Sequence, residues 1–400
     1  LLETNVIKRL LTASAIASIM AFNANAAETI KIGVAMGFTG PIESLTPGMA
    51  ASAELAMKEV SESGLLLGGA TVQPVRADTT CVDAAAATAA VERLVTSEGI
   101  AALVGAACSG ATTAVLQNVA MPRGLLMISP SSTSPALSTI EDNGLFFRTA
   151  PSDARQGEVL AEMLIERGIK TAALTYTNND YGRGLANSIQ TNFEKLGGRI
   201  TLSTSHEDGK GDYTAEVGAL ASAGGDILIV AGYLDRGGRG IISSSLDTGA
   251  FETFALPDGM IGQSLPEAIG SGLNGSWGLA PGSDSPGGSQ FEAIATAANI
   301  TVGPYTWQSY DAAALIMFAM QAAGTTDSAV VKTKIMDIAN GTGEEIYPGE
   351  LAKGLRILAE GGTINYVGAS DVTFVEPGEH AGSYALYEVR DGKLEIVGHR

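Results

Sequence analysis

Two doubly wound α/β lobes are what this sequence predicts, and three observations predict them. Ten short β-rich runs recur along the chain, most of them apolar without strict alternation, as strands covered on both faces are. Segments of helical periodicity separate them. The starts of the second five runs lie 29, 26, 25 and 25 residues apart, the length of one strand plus its crossover helix.

The first series runs Thr29–Met36, Thr71–Asp78, Ile100–Ala107, Leu125–Pro130 and Leu145–Ala150. The second runs Thr171–Tyr176, Ile200–His206, Asp226–Tyr233, Phe251–Asp258 and Ser276–Pro281. After Pro47, Met49, Ala53, Ala56, Met57 and Val60 mark one face of a helix. The Ala-rich stretch from Ala84 to Ser97 predicts a second, stopped by Gly99. Strands joined by helices in this rhythm give parallel sheets covered on both sides. Near the end, Ser383–Val389 and Lys393–Gly398 flank Asp391-Gly392, a hairpin turn. Trp307, Tyr310 and Asp311 read as core and helix-start residues.

Composition removes whole classes of function. The 400 residues carry 43 acidic against 24 basic side chains, a formal net charge of −19. Nucleic acid is therefore not an expected partner, because phosphate backbones demand clustered Lys and Arg. Three histidines and two cysteines are too few for a zinc or iron–sulfur centre built on nitrogen and sulfur, so no metal or cofactor is expected. The acidic surplus reads as a solvated surface.

The N-terminus reads as an export signal. Lys8 and Arg9 precede the apolar run Leu10–Phe22, which ends in Ala24-Asn25-Ala26. Those 13 apolar residues fall short of the roughly 20 that span a bilayer. Cleavage near Ala26/Ala27 would remove residues 1–26 and release the chain into the periplasm, and no cysteine at the cleavage point indicates a lipid anchor. In an oxidising compartment Cys81 and Cys108 read as a disulfide, with two buried free thiols as the alternative. A loop of that length would contribute roughly 3–4 kcal/mol by chain entropy.

In open parallel sheets ligands bind beyond the carboxyl ends of the strands. The loops there are small, polar and glycine-rich: Gly37-Phe38-Thr39-Gly40-Pro41, Cys108-Ser109-Gly110, Ser129-Pro130-Ser131-Ser132-Thr133, Asn178-Asn179-Asp180-Tyr181-Gly182, then Tyr233 and Asp258-Gly259. There is no G-x-x-x-x-G-K-[ST], no G-x-G-x-x-G after the first strand, and no G-x-S-x-G or H-E-x-x-H. Hydroxyls and helix starts suit a carboxylate, and one acid can answer an ammonium. A zwitterion fits such a mouth better than a nucleotide does.

The chain resembles the branched-chain amino acid binding proteins of ABC transporters, the leucine/isoleucine/valine-binding type. The resemblance rests on Ile32-Gly33-Val34 through Gly40-Pro41, Cys81, Leu103-Val104-Gly105 with Cys108-Ser109, Met127-Ile128-Ser129-Pro130-Ser131-Ser132-Thr133, Asp180-Tyr181-Gly182, Gly232-Tyr233 and Pro257-Asp258-Gly259. It implies a type I periplasmic binding fold, two lobes joined by a three-strand hinge and closing on the ligand. Residues 27–148 with about 282–368 would form one lobe, and 149–281 with about 369–400 the other. It further implies that Ser109 and Thr133 take the ligand carboxylate, that Ser131 and Ser132 add backbone contacts, and that Asp258 takes the α-ammonium where relatives often carry Glu. Tyr181 and Tyr233 would close the second-lobe side. Leu45 stands where some relatives carry a pocket tyrosine. The implied role is that of a monomer delivering a small, aliphatic amino acid to an ABC permease in the inner membrane. No enzyme activity is expected.

Each residue also has a plainer reading. Ser109 and Thr133 could cap helices. Tyr181 could be an exposed turn aromatic, Tyr233 a core residue, and Asp258 a turn residue before Gly259. An exported enzyme, a sensor domain, or a carrier of amides, urea or aromatic acids are the competing functions.

Overall fold

A computed structural model describes residues 28–400 of the chain; the expected signal at 1–26 lies outside the described residues. The first sheet is built from β1 (Thr29–Met36), β2 (Thr71–Asp78), β3 (Ala102–Gly105), β4 (Met127–Ser129) and β5 (Phe146–Pro151). The second takes β6 (Thr171–Thr177), β7 (Arg199–His206), β8 (Ile227–Ala231), β9 (Phe254–Leu256) and β10 (Trp277–Pro281). Within each set of five every pairing is parallel. The central strands β3, β4, β8 and β9 are buried at every residue, which is why they read as apolar runs without alternation. Two doubly wound lobes are therefore present, as the sequence predicts.

The strands that follow were only partly foreseen. β11 (Glu344–Ile346) and β12 (Ile364–Tyr366) form a small parallel pair. β13 (Phe374–Val375) and β14 (Glu379–His380) extend the first sheet, giving the order β13-β14-β5-β4-β3-β1-β2. β15 (Tyr384–Arg390) and β16 (Lys393–His399) extend the second, as β16-β15-β10-β9-β8-β6-β7. Asp391 and Gly392 both have positive φ, the backbone a tight hairpin turn of this kind needs.

This membership corrects the expected lobe boundaries. Residues 374–380 belong to the first sheet, because β14 pairs with β5, so the chain crosses between His380 and Tyr384 rather than near residue 369. The earlier crossing likewise falls after Pro151, where β5 ends, and the second follows Pro281. Three strands thus connect the lobes.

Local chemistry sets the helices. Thr46–Ser63 starts with a proline in its first turn and ends at Gly64 in the left-handed conformation. Ala84–Arg93 is capped by Asp83, whose side chain accepts from the N–H groups of Ala85 and Ala86 at 2.9 Å. Thr306–Ala323 is buried over most of its circumference and forms the centre of the first lobe, packed on Thr46–Ser63 and Leu351–Ala359. Tyr310 and Asp311 are fully buried there, while Trp307 is half-buried. Asp311 accepts from Tyr366, Ala369 and Ser370, yet burial pushes its carboxyl up to about 6. Among the described residues no single helix is long and apolar enough to cross a membrane.

Cys81 and Cys108 form a disulfide that ties the loop after β2 to the start of helix Ser109–Val115. The loop after β1 threads beside it. Gly40 sits at φ 117°, and a Cβ there would lie 2.4 Å from the Thr80 carbonyl oxygen, so only glycine fits.

Candidate functional site

β1 lies between β2 and β3, and β6 between β7 and β8, so each sheet has a point where its crossovers leave in opposite directions. The loops at those two points face each other across the cleft. Ser109 and Ser131 come from the first lobe; Tyr181, Tyr233 and Asp258 come from the second. All five line one small cavity, tightly shut between the lobes. Its remaining wall is mostly apolar, with Ile42, Leu45, Met49 and Ala107.

Asp258 is the chemical centre of the second-lobe side. It is 2% exposed, and its Oδ1 accepts from the Tyr181 hydroxyl at 2.7 Å. Its Oδ2 accepts from the Tyr305 hydroxyl, and its backbone N–H donates to Gln156 Oε1 at 3.1 Å. The Tyr181 hydroxyl also accepts from the Gly259 N–H at 3.1 Å. A side chain at 259 would collide, since its Cβ would lie 2.5 Å from the Gly232 carbonyl oxygen and 2.6 Å from that hydroxyl. Burial raises the Asp258 carboxyl above its ordinary range, and the Tyr305, Tyr181 and Gln156 hydrogen bonds only partly offset this. Burial pushes Tyr181, Tyr233 and Tyr305 far above 10, helped by the Asp258 charge at Tyr181 and Tyr305 and by the Asp208 charge at Tyr233, so their hydroxyls stay protonated. Tyr181 stacks on Tyr233 with centroids 5.1 Å apart.

A second buried acid stands behind the first. Asp153 opens helix Asp153–Glu166 at the first crossing, and its N–H donates to the Thr133 carbonyl at 2.8 Å. Its Oδ1 accepts from Gln156 Nε2 at 3.1 Å, while its Oδ2 is buried without a partner. Burial, then the charge of Asp258, drives its carboxyl well above the ordinary value. Two buried acids that feel each other's charge favour a cationic group beside the one that lines the cavity.

The serine loop divides into cavity and support. Ser131 lines the cavity, with its Oγ donating to the Ala107 carbonyl at 2.8 Å. Ser132 does not: its hydroxyl is held by Thr112 Oγ1 at 2.6 Å and Ala106 O at 3.1 Å, which makes it a brace for the loop. Thr133 is 1% exposed behind the cavity wall, and its Oγ1 has no partner. Ser109 Oγ accepts from the Ser134 N–H at 3.1 Å rather than capping its own helix. Arg148, buried to 1% exposure, fixes this loop by donating to the carbonyls of Ser132 and Ser134, each at 3.0 Å.

Of the residues expected from the sequence, five meet at the cavity and two stand directly behind it. Tyr181, Tyr233 and Asp258 are 3%, 5% and 2% exposed, so none is a loop-surface residue. Asp153, Gln156 and Tyr305 were not foreseen. Tyr305 gave one legible signal, an aromatic just after Gly303-Pro304 at a helix start, and Asp153 and Gln156 open a helix one residue beyond a lobe crossing.

Comparison with known proteins agrees with this geometry. A family model described as periplasmic binding protein matches residues 29–342. The leucine-, isoleucine-, valine-, threonine- and alanine-binding protein of Pseudomonas aeruginosa is 27% identical over 328 residues, covering 81% of this chain and 86% of that protein. The branched-chain amino acid transporter substrate-binding protein of Streptococcus pneumoniae, solved in complex with isoleucine, superposes with a TM-score of 0.76 at 22% identity, over 92% of this chain and 98% of that one. A solute-binding protein from R. palustris in complex with 4-hydroxybenzoate has the same fold, with a TM-score of 0.76 at 18% identity over 93% and 97% of the two chains. With a match over most of its length and two lobes closing on a common cleft, the chain belongs to the periplasmic binding protein family.

Proposed function

We propose that this protein is a periplasmic solute receptor that captures a small aliphatic α-amino acid between its lobes and delivers it to an ABC permease, acting as a monomer. The observation that carries the reading is Asp258, a carboxylate buried against two phenols with Asp153 behind it, facing a cavity whose other wall is aliphatic. An α-ammonium answers the acids, the serine hydroxyls at Ser109 and Ser131 suit the ligand carboxylate, and Thr133, whose hydroxyl is within reach of Asp153, stands behind them. Ile42, Leu45 and Met49 suit a short branched side chain. The names of the relatives support this ligand class. Serines line the cavity without a histidine or lysine to act as their base, which supports a binder rather than an enzyme. The residues lining it include no Lys or Arg, which disfavours a plain aromatic acid such as the one held by the R. palustris protein.

Calorimetric titration tests the reading directly. Ligand-stripped protein is expected to bind leucine, isoleucine and valine saturably, at micromolar affinity or tighter, and 4-methylpentanoate, which is leucine without its ammonium, far more weakly. Asp258→Ala is expected to weaken leucine roughly 10- to 150-fold, the equivalent of a charged hydrogen bond of about 1.5–3 kcal/mol, and to leave 4-methylpentanoate nearly unchanged. Tighter binding of 4-methylpentanoate or 4-hydroxybenzoate than of any amino acid would overturn it.

A further inference from the structure

Beside the ligand cavity lies a larger hollow of about 330 Å³, walled mainly by Ile261, Val302, Trp307, Tyr387 and Leu394, with Glu292 and Gln308 among its polar lining. Tyr305 lines both spaces and, among the described residues, is the one they share. We propose that the Tyr305 ring is the partition that limits the length of the ligand side chain, and that the hollow behind it is unused space for a longer one. The proposal rests on the amino-acid reading above.

The backbone supports a dedicated position. Tyr305 sits at φ 65° and ψ 2°, a left-handed conformation that a bulky residue adopts only where its surroundings impose it. Contacts at both ends of the residue hold it in place. The phenol hydroxyl donates to Asp258 Oδ2, and the Tyr305 carbonyl accepts from the N–H of Ser309 at 2.9 Å and from its Oγ at 2.7 Å. The ring is thereby held across the gap, anchored at one end by the acid assigned to the ligand ammonium and at the other by the start of helix Thr306–Ala323. Because that anchor is the ammonium site itself, the ring stands at a fixed distance from the ligand Cα. A side chain that outgrows the smaller cavity meets the ring; without it, the chain would continue onto Trp307, Tyr387 and Leu394.

The test uses straight-chain α-amino acids of growing length, norvaline, norleucine, 2-aminoheptanoate and 2-aminooctanoate, with leucine and phenylalanine, titrated into the full-length mature protein. In the wild type affinity should rise and then collapse with length. In Tyr305→Gly, a residue suited to the left-handed backbone, it should keep rising by about fourfold per added methylene, and phenylalanine should be gained. Tyr305→Leu, which keeps an apolar side chain should the glycine variant fail to fold, is expected to move the limit outward by one or two methylenes. Tyr305→Phe, which keeps the ring but removes its anchor on Asp258, should move the limit outward by less than Tyr305→Gly does. If Tyr305→Gly or Tyr305→Leu binds leucine but keeps the wild-type limit, the partition is wrong and the amino-acid reading stands. A range in Tyr305→Phe that extends as far as in Tyr305→Gly also overturns the ring as the wall. Silence of the wild type toward every amino acid overturns the amino-acid reading and the partition with it.

Discussion

Asp258 and Asp153 are each raised above the ordinary carboxylate range, chiefly by burial. That shift has a consequence for binding. Between the ordinary value, about 3.9, and the raised one, the ligand-free protein retains protons that an arriving ammonium expels, since a nearby cation favours the ionised carboxylate. Affinity for an amino acid should therefore climb with pH through that window and level off above it. Titrations at one pH in two buffers of different ionisation enthalpy should give different heats, and equal heats across the window would refute the linkage. Melting curves would be less decisive, because His206 acts with the opposite sign. A raised carboxyl contributes stability at low pH that is lost as pH rises through its folded value. The His206 imidazole, lowered by burial to about 4, contributes stability that is full above 6.5 and lost as pH falls toward 4. It does not line the cavity, so the binding experiment isolates the acids.

Secondary-structure elements were the most legible level, and the reason is physical. A strand buried on both faces needs apolar residues at nearly every position, so β1 stands in the sequence with the ends the structure gives it, and the residues after β3, β6, β8 and β9 announce the cleft. The support behind the cleft was not legible, because it depends on which way neighbouring hydroxyls turn. Within Ser131-Ser132-Thr133 nothing in composition says that the first faces the ligand space and the second braces Thr112 and Ala106. Arg148 on β5 decides it by gripping the carbonyls on either side of Thr133, while pairing with Glu379 on β14, a strand more than 200 residues away. Asp153, Gln156 and Tyr305 escaped for the same reason: each belongs to the start of a helix at or beyond a lobe crossing, and only the closed tertiary arrangement brings them to Asp258. Arg148→Met is accordingly expected to cost about 3–5 kcal/mol of stability, the loss typical of breaking a buried ion pair from one side. Denaturant titration reads this, and a change below about 1 kcal/mol, the level of a surface pair, would show that the loop holds itself.

At the scale of the molecule the lobes are closed, and besides the Tyr305–Asp258 bond in the site, other contacts that keep them so lie outside the cavity lining. The loop Pro41–Ser44 of the first lobe meets Asp235 and Ser264 of the second. Asp235, 6% exposed, accepts from the Ser44 N–H at 2.8 Å and from Ser264 Oγ at 3.0 Å, and its own N–H donates to the Pro41 carbonyl at 3.1 Å. Glu43 pairs with Arg236 at 3.3 Å, but both are exposed and the pair contributes little. On the far side Ser134 Oγ donates to the Asp180 carbonyl at 3.1 Å. The bonds that cross between the lobes, from Ser44, to Pro41 and from Ser134, exist only when the cleft is shut, so they bias the equilibrium between open and closed forms without touching the ligand. Asp235→Ala removes the bond from the Ser44 N–H and the one from Ser264 that steadies the carboxylate, and leaves the main-chain bond to Pro41. With hydrogen bonds to a charged group contributing about 1.5–3 kcal/mol each when intact, and water replacing part of that in the open form, apparent affinity should fall roughly tenfold or more. The fall should be the same for leucine, isoleucine and valine and should reside in a faster dissociation rate, because the latch forms after encounter. Stopped-flow binding across the three ligands distinguishes a latch from a contact: a loss that differs from one side chain to the next would place Asp235 in the pocket, whereas a common factor places it in the hinge equilibrium that converts capture into release.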